Sequence, residues 1–527
     1  MRLRNILASI CFLAIALQAY GQEAEECRDF RFRTGTDPVF FLSNPAALAA
    51  FQGHISMAEL EFRKDNGALC SLSESPDSYK GGAVTESYIS ISDRISFHGK
   101  LGWSYFSGDG MGAQILMDPA FNPVNFLEST DATVGRRNKE TYSLMGAFSY
   151  KFSDSWAAGC SIDYVSSDQT KIKDPRFSSI WMDMTVKAGA SFRPSERLLL
   201  GLAAVYRSTL EQVRGGIYGT TDKQYFTYTD KGAFYGTLSE LQGDLSYLSV
   251  SNYRPMKNDF YGLSLQLAAG KFSNELEALY RSGYWGKKSS STATFFEFSG
   301  IRAAYHGKFL SRQGENIHRI SADAFYELLG NNENVFKYVT PVGQNTRVEY
   351  TSSNRILDSQ QASLDLGYAY FKDTGGFLPA FSAGADVHGS ASLKNVVLYP
   401  YYRNANLFTV SADAFARKNF FTGKSVFSLG LTALFRMGFG DPRQDGSYAT
   451  TSGSNLISFD TYLNRQFEFD TAPTAGAGLE FAYTYVISEH IAPYIKLSDS
   501  FSSLLSEPQY LGGRIRNVAL ITLGCNF

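Results

Sequence analysis

Beyond its first 21 residues the sequence has no uninterrupted apolar run of membrane-spanning length. A transmembrane helix needs about 20 consecutive, mainly apolar residues. The apolar run at 6–17 is shorter than that, and it follows Arg2 and Arg4 at the amino terminus. If the chain lies in a membrane, helices are therefore excluded, and only a closed β-barrel can satisfy its backbone hydrogen bonds.

Net charge and metal ligands are also scarce. The formal net charge is −2, so nothing indicates nucleic acid or an anionic surface as a partner. The chain has 5 Cys, and their spacing is not that of a metal site. Cys27 and Cys70 could form a disulfide in an oxidising compartment, and unpaired thiols are an equally open alternative. The sequence predicts no metal site and no cofactor.

The motifs of common enzyme classes are missing. There is no Gly-x-Ser-x-Gly elbow and no His-Glu-x-x-His zinc site, and the 6 His are scattered. The glycine-rich run 108–112 begins a long loop and lacks the strand–loop–helix context of a nucleotide site. His388 shares a face with Asp386, but no nucleophile is identifiable beside them. The chain is therefore predicted not to be an enzyme, with a membrane-embedded hydrolase as the remote alternative.

Aromatic residues and glycine are abundant, with 41 Phe, 32 Tyr and 47 Gly but only 15 Pro and 4 Trp. Aromatic girdles and alternating strands are typical of transmembrane β-barrels. The alternation is clearest over 142–164, where two arms with apolar residues at every second position flank a turn at 153–155. This period predicts a β-hairpin whose apolar face contacts lipid. Within 294–306 the apolar phase slips near Gly300, which suggests a β-bulge.

Short turns alternate with long connections along the chain. The pattern predicts an all-β fold, a transmembrane antiparallel β-barrel of about 18 strands, with 14 or 16 as alternatives. The first strand is expected near 54–64 and the last at Phe527, with short periplasmic turns, long extracellular loops and both termini in the periplasm. A secreted sandwich or propeller is the competing fold. Strands of about 10–12 residues suit a bilayer better than that alternative.

The two ends of the chain predict export to a membrane. Residues 1–21 have the features of a secretory signal peptide, with cleavage after Gly21. The strand Ala519–Phe527 alternates apolar with small or polar residues and ends on an aromatic residue. It resembles the carboxyl-terminal strand of bacterial outer-membrane β-barrels, which is read by the machinery that inserts them. The resemblance implies the outer membrane of a Gram-negative cell, with lipid and that machinery as partners.

Residues 22–53 precede the predicted barrel, which spans 54–527. Asn44 suits the N-cap and Pro45 the first position of a short helix. Asn-Pro-Ala followed by small and apolar residues resembles the amino-terminal segment of the long-chain fatty-acid transporter family, which folds into the barrel lumen. The resemblance implies a plug with Asn44, Pro45 and Phe51 as its candidate residues, and a hydrophobic ligand. A short helix capping the periplasmic mouth is the alternative.

Charged residues opposite the aliphatic faces are candidates for a solute path. They are Asp163, Asp183, Lys187, Asp323, Asp365, Asp386, His388, Asp413 and Glu480. Charges of both signs can form a salt-bridged interior, or they can tune a channel for cations or polar solutes. Small residues beside them, such as Gly189 and Gly201, are expected to leave room in the lumen. Aromatic residues in 208–257 could stack on a sugar or pack the loop over the barrel mouth.

These features predict a channel or transporter for a small solute that the sequence does not identify. The alternative is a non-conducting barrel that binds a partner at the cell surface or anchors a secretion apparatus.

Overall fold

The computed structural model describes residues 28–119, 121–219, 223–241, 247–248, 254–287, 292–449, 457–488 and 491–527. The predicted signal peptide, 1–21, lies outside these ranges. So does Cys27, one half of the Cys27–Cys70 alternative.

Twenty-two strands and two α-helices lie in the described ranges. The strands are β1 (His54–Asn66), β2 (Asp77–Ser92), β3 (Ile95–Met111), β4 (Asn125–Glu128), β5 (Gly135–Lys151), β6 (Trp156–Lys171), β7 (Arg176–Ser195), β8 (Leu198–Gly216), β9 (Phe226–Asp230), β10 (Tyr235–Glu240), β11 (Pro255–Ala269), β12 (Phe272–Gly286), β13 (Thr294–Gln313), β14 (Asn316–Val339), β15 (Arg347–Lys372), β16 (Phe381–Leu398), β17 (Tyr401–Thr422), β18 (Ser425–Ser447), β19 (Ile457–Ser458), β20 (Thr474–Tyr485), β21 (Ala492–Leu504) and β22 (Ile515–Asn526). The helices are α1 (Phe30–Thr36) and α2 (Asp460–Thr471), with 3-10 helices at Pro38–Phe40, Pro45–Ala50 and Asp131–Thr133. No helix in these ranges has the length and hydropathy needed to cross a membrane.

Eighteen strands form one closed antiparallel barrel, which confirms the predicted fold. Each barrel strand pairs with its neighbours along the chain, and β1 closes the barrel against β22. Met57 lies opposite Asn526, and the Phe527 N–H donates to the Ser56 carbonyl at 2.9 Å. The strands expected first, near 54–64, and last, ending at Phe527, therefore pair and close the barrel.

The outward faces of the strands carry an apolar belt. Its exposed members include Leu144, Leu202, Leu265, Ile301 and Leu364. In water such a surface would be costly, at about 25 cal/mol for each Å², whereas lipid removes that cost. The belt and the closed hydrogen-bonding define a transmembrane β-barrel.

Eight connections at one end of the barrel are short, and the nine at the other end are mostly longer. We call these the turn end and the loop end. Both the start of β1 and the end of β22 lie at the turn end.

Several connections at the loop end are shorter than the sequence pattern suggested, because the strands continue past the apolar belt. β15 has 26 residues, more than twice the roughly 10 that cross a bilayer. Beyond the belt, polar residues of the hairpin are interspersed with the exposed side chains of Val335, Tyr338 and Tyr350, and the backbone pairing continues where the sequence suggested a loop.

The expected bulge at Gly300 is wrong. β13 and β14 pair without interruption from Phe296 to Gln313, and the register shift lies between Trp285 and Gly286 on β12. The apolar phase changes because Phe296 and Phe298 point inward, into a core at the loop end, whereas Ile301 points outward.

A second, four-stranded sheet of β4, β9, β10 and β19 lies at the loop end. We call it the lid sheet, and its strands come from three different connections. Phe126 and Leu127 of β4 and Tyr228 of β9 are fully buried. Phe126 packs on Trp285 of the inner barrel wall at 4.5 Å between ring centroids. The aromatic residues of this region thus pack the loops against the wall.

Candidate solute cavity

The amino-terminal segment, residues 28–53, lies against the inner barrel wall at the turn end. It contacts strands from all round the barrel. Arg28 pairs with Asp373 at 2.9 Å, the Phe30 N–H donates to Asn526 at 3.0 Å, and Arg319 donates to the Gly35 carbonyl at 3.1 Å. On the opposite side, the Ser149 hydroxyl donates to the Ala46 carbonyl at 3.3 Å.

Asn44 anchors the segment to the wall. Its side-chain oxygen caps the 3-10 helix Pro45–Ala50 by accepting from the Ala46 N–H at 2.9 Å. Its amide donates to the Ala190 carbonyl at 3.1 Å and to Gln266 at 2.9 Å. Asn44 is 3 % exposed, so these bonds replace its hydration.

Gly189 and Gly201 form the surface on which Asn44 rests, which we call the glycine seat. A Cβ at Gly201 would lie 2.9 Å from the Asn44 amide nitrogen, and one at Gly189 would overlap the Asn44 oxygen. Glycine permits this close approach because it has no side chain. The room that these glycines leave is therefore filled by the segment.

Pro45 and Phe51 hold different positions in the segment. Pro45 lines the cavity described below. Phe51 is buried and packs on Phe40 and Tyr88, at 5.3 and 6.0 Å between ring centroids.

A cavity of about 790 Å³ lies between the segment and the inner wall. Its charged and histidine lining residues are His98, Asp163, Lys187, Arg207, Glu277, Arg302, His306, Asp323 and Asp365. Toward the loop end, Phe121 packs on Arg207 at 5.2 Å and on Arg281 at 4.5 Å. Phe121 precedes the lid strand β4, so the lid region reaches to the upper edge of the cavity.

An acidic row crosses one side of this cavity. His306, Asp323, Asp365 and His388 lie in register on the four neighbouring strands β13 to β16. His306 contacts Asp323 at 2.7 Å, and His388 contacts Asp365 at 2.5 Å. We call these four residues the His-Asp row. The sequence patterns singled out three of them but could not show that they are neighbours.

The other side of the cavity combines acidic and basic groups. Asp163, Thr185 and Arg207 lie in register on β6, β7 and β8. Arg207 donates two hydrogen bonds to Asp183, at 3.0 and 2.6 Å. Lys187 donates to Ser43 at 2.7 Å and pairs with Glu277 at 3.1 Å, so it ties the amino-terminal segment to the wall.

Five predicted lumen residues do not line the cavity. Asp183 and His388 contact the lining residues Arg207 and Asp365, whereas the other three lie elsewhere on the inner wall. Asp386 and Asp413 face one another on β16 and β17, and Glu480 pairs with Arg417. All three lie opposite the apolar belt. The structure thus separates them from the six other predicted residues, which line the cavity or contact a side chain that does.

Sequence reasoning missed Glu277 and Arg302 in this lining. Arg302 lies over the Phe325 ring at 4.4 Å and has no carboxylate within 4 Å among the described residues. Strand alternation places both on lumen faces, but only the closed barrel shows which faces meet. In the described part of the chain, no group of His, Cys, Asp and Glu is arranged to hold a metal ion.

Buried ion pairs fasten the lid sheet. Glu128 of β4 accepts from Arg137 at 2.9 Å and from Lys171 at 2.5 Å, and none of the three side chains is more than 3 % exposed. On the other side, the fully buried Arg403 pairs with Asp445 at 2.6 Å and donates to the Ala233 carbonyl at 3.0 Å.

Glu211 holds the loop between β3 and β5 from beneath. Beyond Tyr206 the outward face of β8 leaves the apolar belt, and Glu211 lies above that level. Its Oε1 accepts from the Met117 N–H and from the Ser179 hydroxyl, both at 2.7 Å. Burial raises the pKa of Glu211 to about 7, although the two hydrogen bonds act in the opposite direction and lower it.

We expect the closed state of this loop to lose stability as pH rises, because deprotonation leaves a charged Glu211 buried beneath it. Because the pKa of Glu211 is higher in the closed loop than in water, closure is favoured at low pH and loses stability as pH rises from 4.5 to about 7. Corrected hydrogen-exchange protection of the Met117 amide should fall by up to about tenfold per pH unit in that window. Glu211→Gln should abolish this dependence, and an unchanged profile in that variant would show that another group titrates.

Comparisons with known proteins place this transmembrane barrel in a family. We call its amino-terminal segment and its lid sheet, with the connections that carry the lid strands, the two inserts. Residues 45–527 match the profile of a family of unknown function (DUF6850), and the chain belongs to that family. No curated protein matches the chain.

Solved structures that match include three barrels of low similarity. The ferric preacinetobactin receptor BauA from Acinetobacter baumannii is 7% identical, with 90% of this chain and 80% of that chain covered and a TM-score of 0.37. The outer membrane transporter YddB from Escherichia coli is 8% identical, with 89% and 80% covered and a TM-score of 0.37. The ferric enterobactin receptor PfeA from Pseudomonas aeruginosa is 9% identical, with 90% and 81% covered and a TM-score of 0.39. Likeness at this level does not indicate what this chain binds.

Proposed function

We propose that this protein is an outer-membrane transporter in which a small polar solute passes through the barrel lumen. The main support for this proposal is the cavity of about 790 Å³. Charged groups of both signs line it, and it lies between the amino-terminal segment and the lid region. Pockets of roughly 300–1,000 Å³ are typical of small-ligand sites. Solute would bind in the cavity while the two inserts move in turn. In this proposal the turn end faces the periplasm, and the charged residues predicted to form the solute path contact the solute.

The chemistry of the lining favours a polar solute over a fatty acid. Asp163, Glu277, Asp323 and Asp365 would repel the carboxylate of a fatty acid, and its chain would lie against polar groups. The Asn-Pro-Ala resemblance therefore supports the position of the segment better than a hydrophobic ligand. Amine and hydroxyl groups of a solute can donate to the acidic lining residues.

Small-molecule mass spectrometry of the protein purified from native membranes tests this proposal. We expect a polar molecule with amine or hydroxyl groups to co-purify with the full chain. Replacing Asp323 and Asp365 by Asn should reduce its occupancy, because each lost charge-assisted bond weakens binding by about tenfold. Asp358→Asn is the control, since Asp358 is exposed and pairs locally with Arg355. A fatty acid as the bound molecule, or equal occupancy in the Asp323/Asp365 variant, would contradict the proposal.

A second candidate is a barrel that binds a partner protein at its loop end. The hairpin of β14 and β15 extends beyond the apolar belt and exposes Val335, Tyr338 and Tyr350. Site-specific photo-crosslinkers at these positions should then capture one defined protein in cells, and their failure to do so would remove this candidate.

A further inference from the structure

A row of basic side chains crosses the inner wall at the loop end, above the apolar belt. Arg63 on β1 lies in register with Lys80 on β2, and Lys80 with Phe106 on β3. Phe106 is in register with Lys139 on β5, and Lys139 with Gln169 on β6. Residues in register share one face of a sheet. Three basic groups, one aromatic ring and one amide therefore lie at the same level on five adjacent strands.

This row lines a pocket of about 240 Å³, separate from the solute cavity. Its other wall is the loop between β3 and β5, which contributes Gln114, Leu116 and Met117. The volume equals about eight water molecules at roughly 30 Å³ each. It is therefore large enough for a carboxylate or phosphate group with its hydration partly retained.

The charges in this pocket are not balanced. Arg63 and Arg516 both pair with Asp65, at 2.6 and 2.9 Å, and Arg516 also pairs with Glu74 of the pocket at 3.2 Å. Lys80 and Lys139 have no carboxylate within 4 Å in the described part of the chain, although Asp118 and Glu211 act on Lys139 from farther away.

The surroundings of Lys139 show the cost of this arrangement. Burial, and next the like charge of Lys80, lower the pKa of Lys139. Beside the row, Arg137 is 3 % exposed, and its Nε has no hydrogen-bond partner among the described residues. An anion between the two lysines would relieve their repulsion.

We propose that this pocket binds an oxyanion, a carboxylate or phosphate group carried by a diffusible solute. The two ammonium groups neutralise it, and the Gln169 amide and the Ser78 hydroxyl can donate to its oxygens. On the wall between pocket and cavity, β3 and β5 carry the small residues Gly102, Ser104 and Ser143. A solute with an oxyanion at one end and amine or hydroxyl groups elsewhere would suit both sites. Its role as the first docking point rests on the proposed transport function, whereas binding itself does not.

Calorimetric titration of the purified full-length protein with inorganic phosphate and with succinate tests the site. Each of Lys80→Gln and Lys139→Gln should weaken binding by about tenfold, and the double variant should abolish it. Lys257→Gln is the matched control, because Lys257 lies at the loop end of β11 outside the pocket and pairs with Asp259. Amine acylation followed by mass spectrometry should show that the probe protects Lys80 and Lys139 but not Lys257.

Three results would overturn the proposal. They are equal binding by the double variant and the unaltered protein, binding of neither probe, and binding of lipid A alone, which would assign the site to a lipid headgroup. Heat-modifiable migration on gels checks that each variant is a folded barrel. A barrel that binds the probes but passes no solute would contradict transport while leaving the oxyanion site in place.

Discussion

Replacing Gly189 by leucine is expected to expel the amino-terminal segment from the barrel wall. The new Cβ would overlap the Asn44 side-chain oxygen and lie 2.9 Å from its Cγ. Asn44 would then lose its bonds to the Ala190 carbonyl and to Gln266. At about 1 kcal/mol for each bond, and with the N-cap also lost, the segment should lose about 3 kcal/mol of binding to the wall.

Hydrogen exchange and limited proteolysis measure this release. Residues 44–51 should lose most of their protection in Gly189→Leu, while the barrel strands keep theirs. Gly146→Leu is the control, because Gly146 lies on the lipid-facing side of β5 and a Cβ there would meet nothing within 4 Å. Equal protection of the segment in both variants would show that Asn44 does not hold it in place.

Replacing Glu128 by alanine is expected to release the lid sheet from β5 and β6. The change leaves Arg137 and Lys171 as buried cations without their carboxylate. Removing one partner of such a buried group costs about 3–5 kcal/mol. The penalty falls on the closed lid, because both cations regain water when it opens.

Proteolysis of the lid and thermal unfolding of the barrel separate this local effect from a global one. Cleavage within 223–241 should become much faster, with a smaller change in barrel unfolding. Asp358→Ala is the control, since it removes an exposed ion pair worth about 0–1 kcal/mol. A lid that is cut no faster in Glu128→Ala than in Asp358→Ala would contradict the assigned role of Glu128.

The barrel could be predicted because its information is local. In β5 and β6, between Tyr142 and Tyr164, every second residue faces lipid and the residues between them face the lumen. The short turn at 153–155 sets the register of the two strands. The same rule failed toward the loop end, both near Gly300, where Phe296 and Phe298 enter a core, and in the hairpin of β14 and β15. Above the belt the hairpin of β14 and β15 no longer separates lipid from lumen. Phe336 and Val348 pack against the core at the loop end, Val335 and Tyr350 are exposed, and the pairing continues.

The inserts could not be predicted in the same way, because their contacts join distant parts of the chain. The lid strand β4 has 4 residues and gains its burial from β9 and from Trp285 on the wall. The glycine seat illustrates the same limit. Gly189 has the pattern of a small lumen residue, and only the position of Asn44 shows what occupies the space beside it.

Single-channel conductance in planar bilayers tests most directly whether the lumen is a path closed at both ends. The informative variant lacks residues 22–53 and has short Gly-Ser turns in place of 112–134 and 217–254. The intact protein and each singly stripped variant should conduct little, because two barriers in series each limit the current. The variant that lacks both the amino-terminal segment and the two replaced connections should give large, stable steps of conductance. A barrel of 16–18 strands with an empty lumen leaves an aqueous channel. Two results would contradict the proposal that the lumen is a path closed at both ends. They are a folded variant without both barriers that gives no conductance, and an intact protein that conducts equally well.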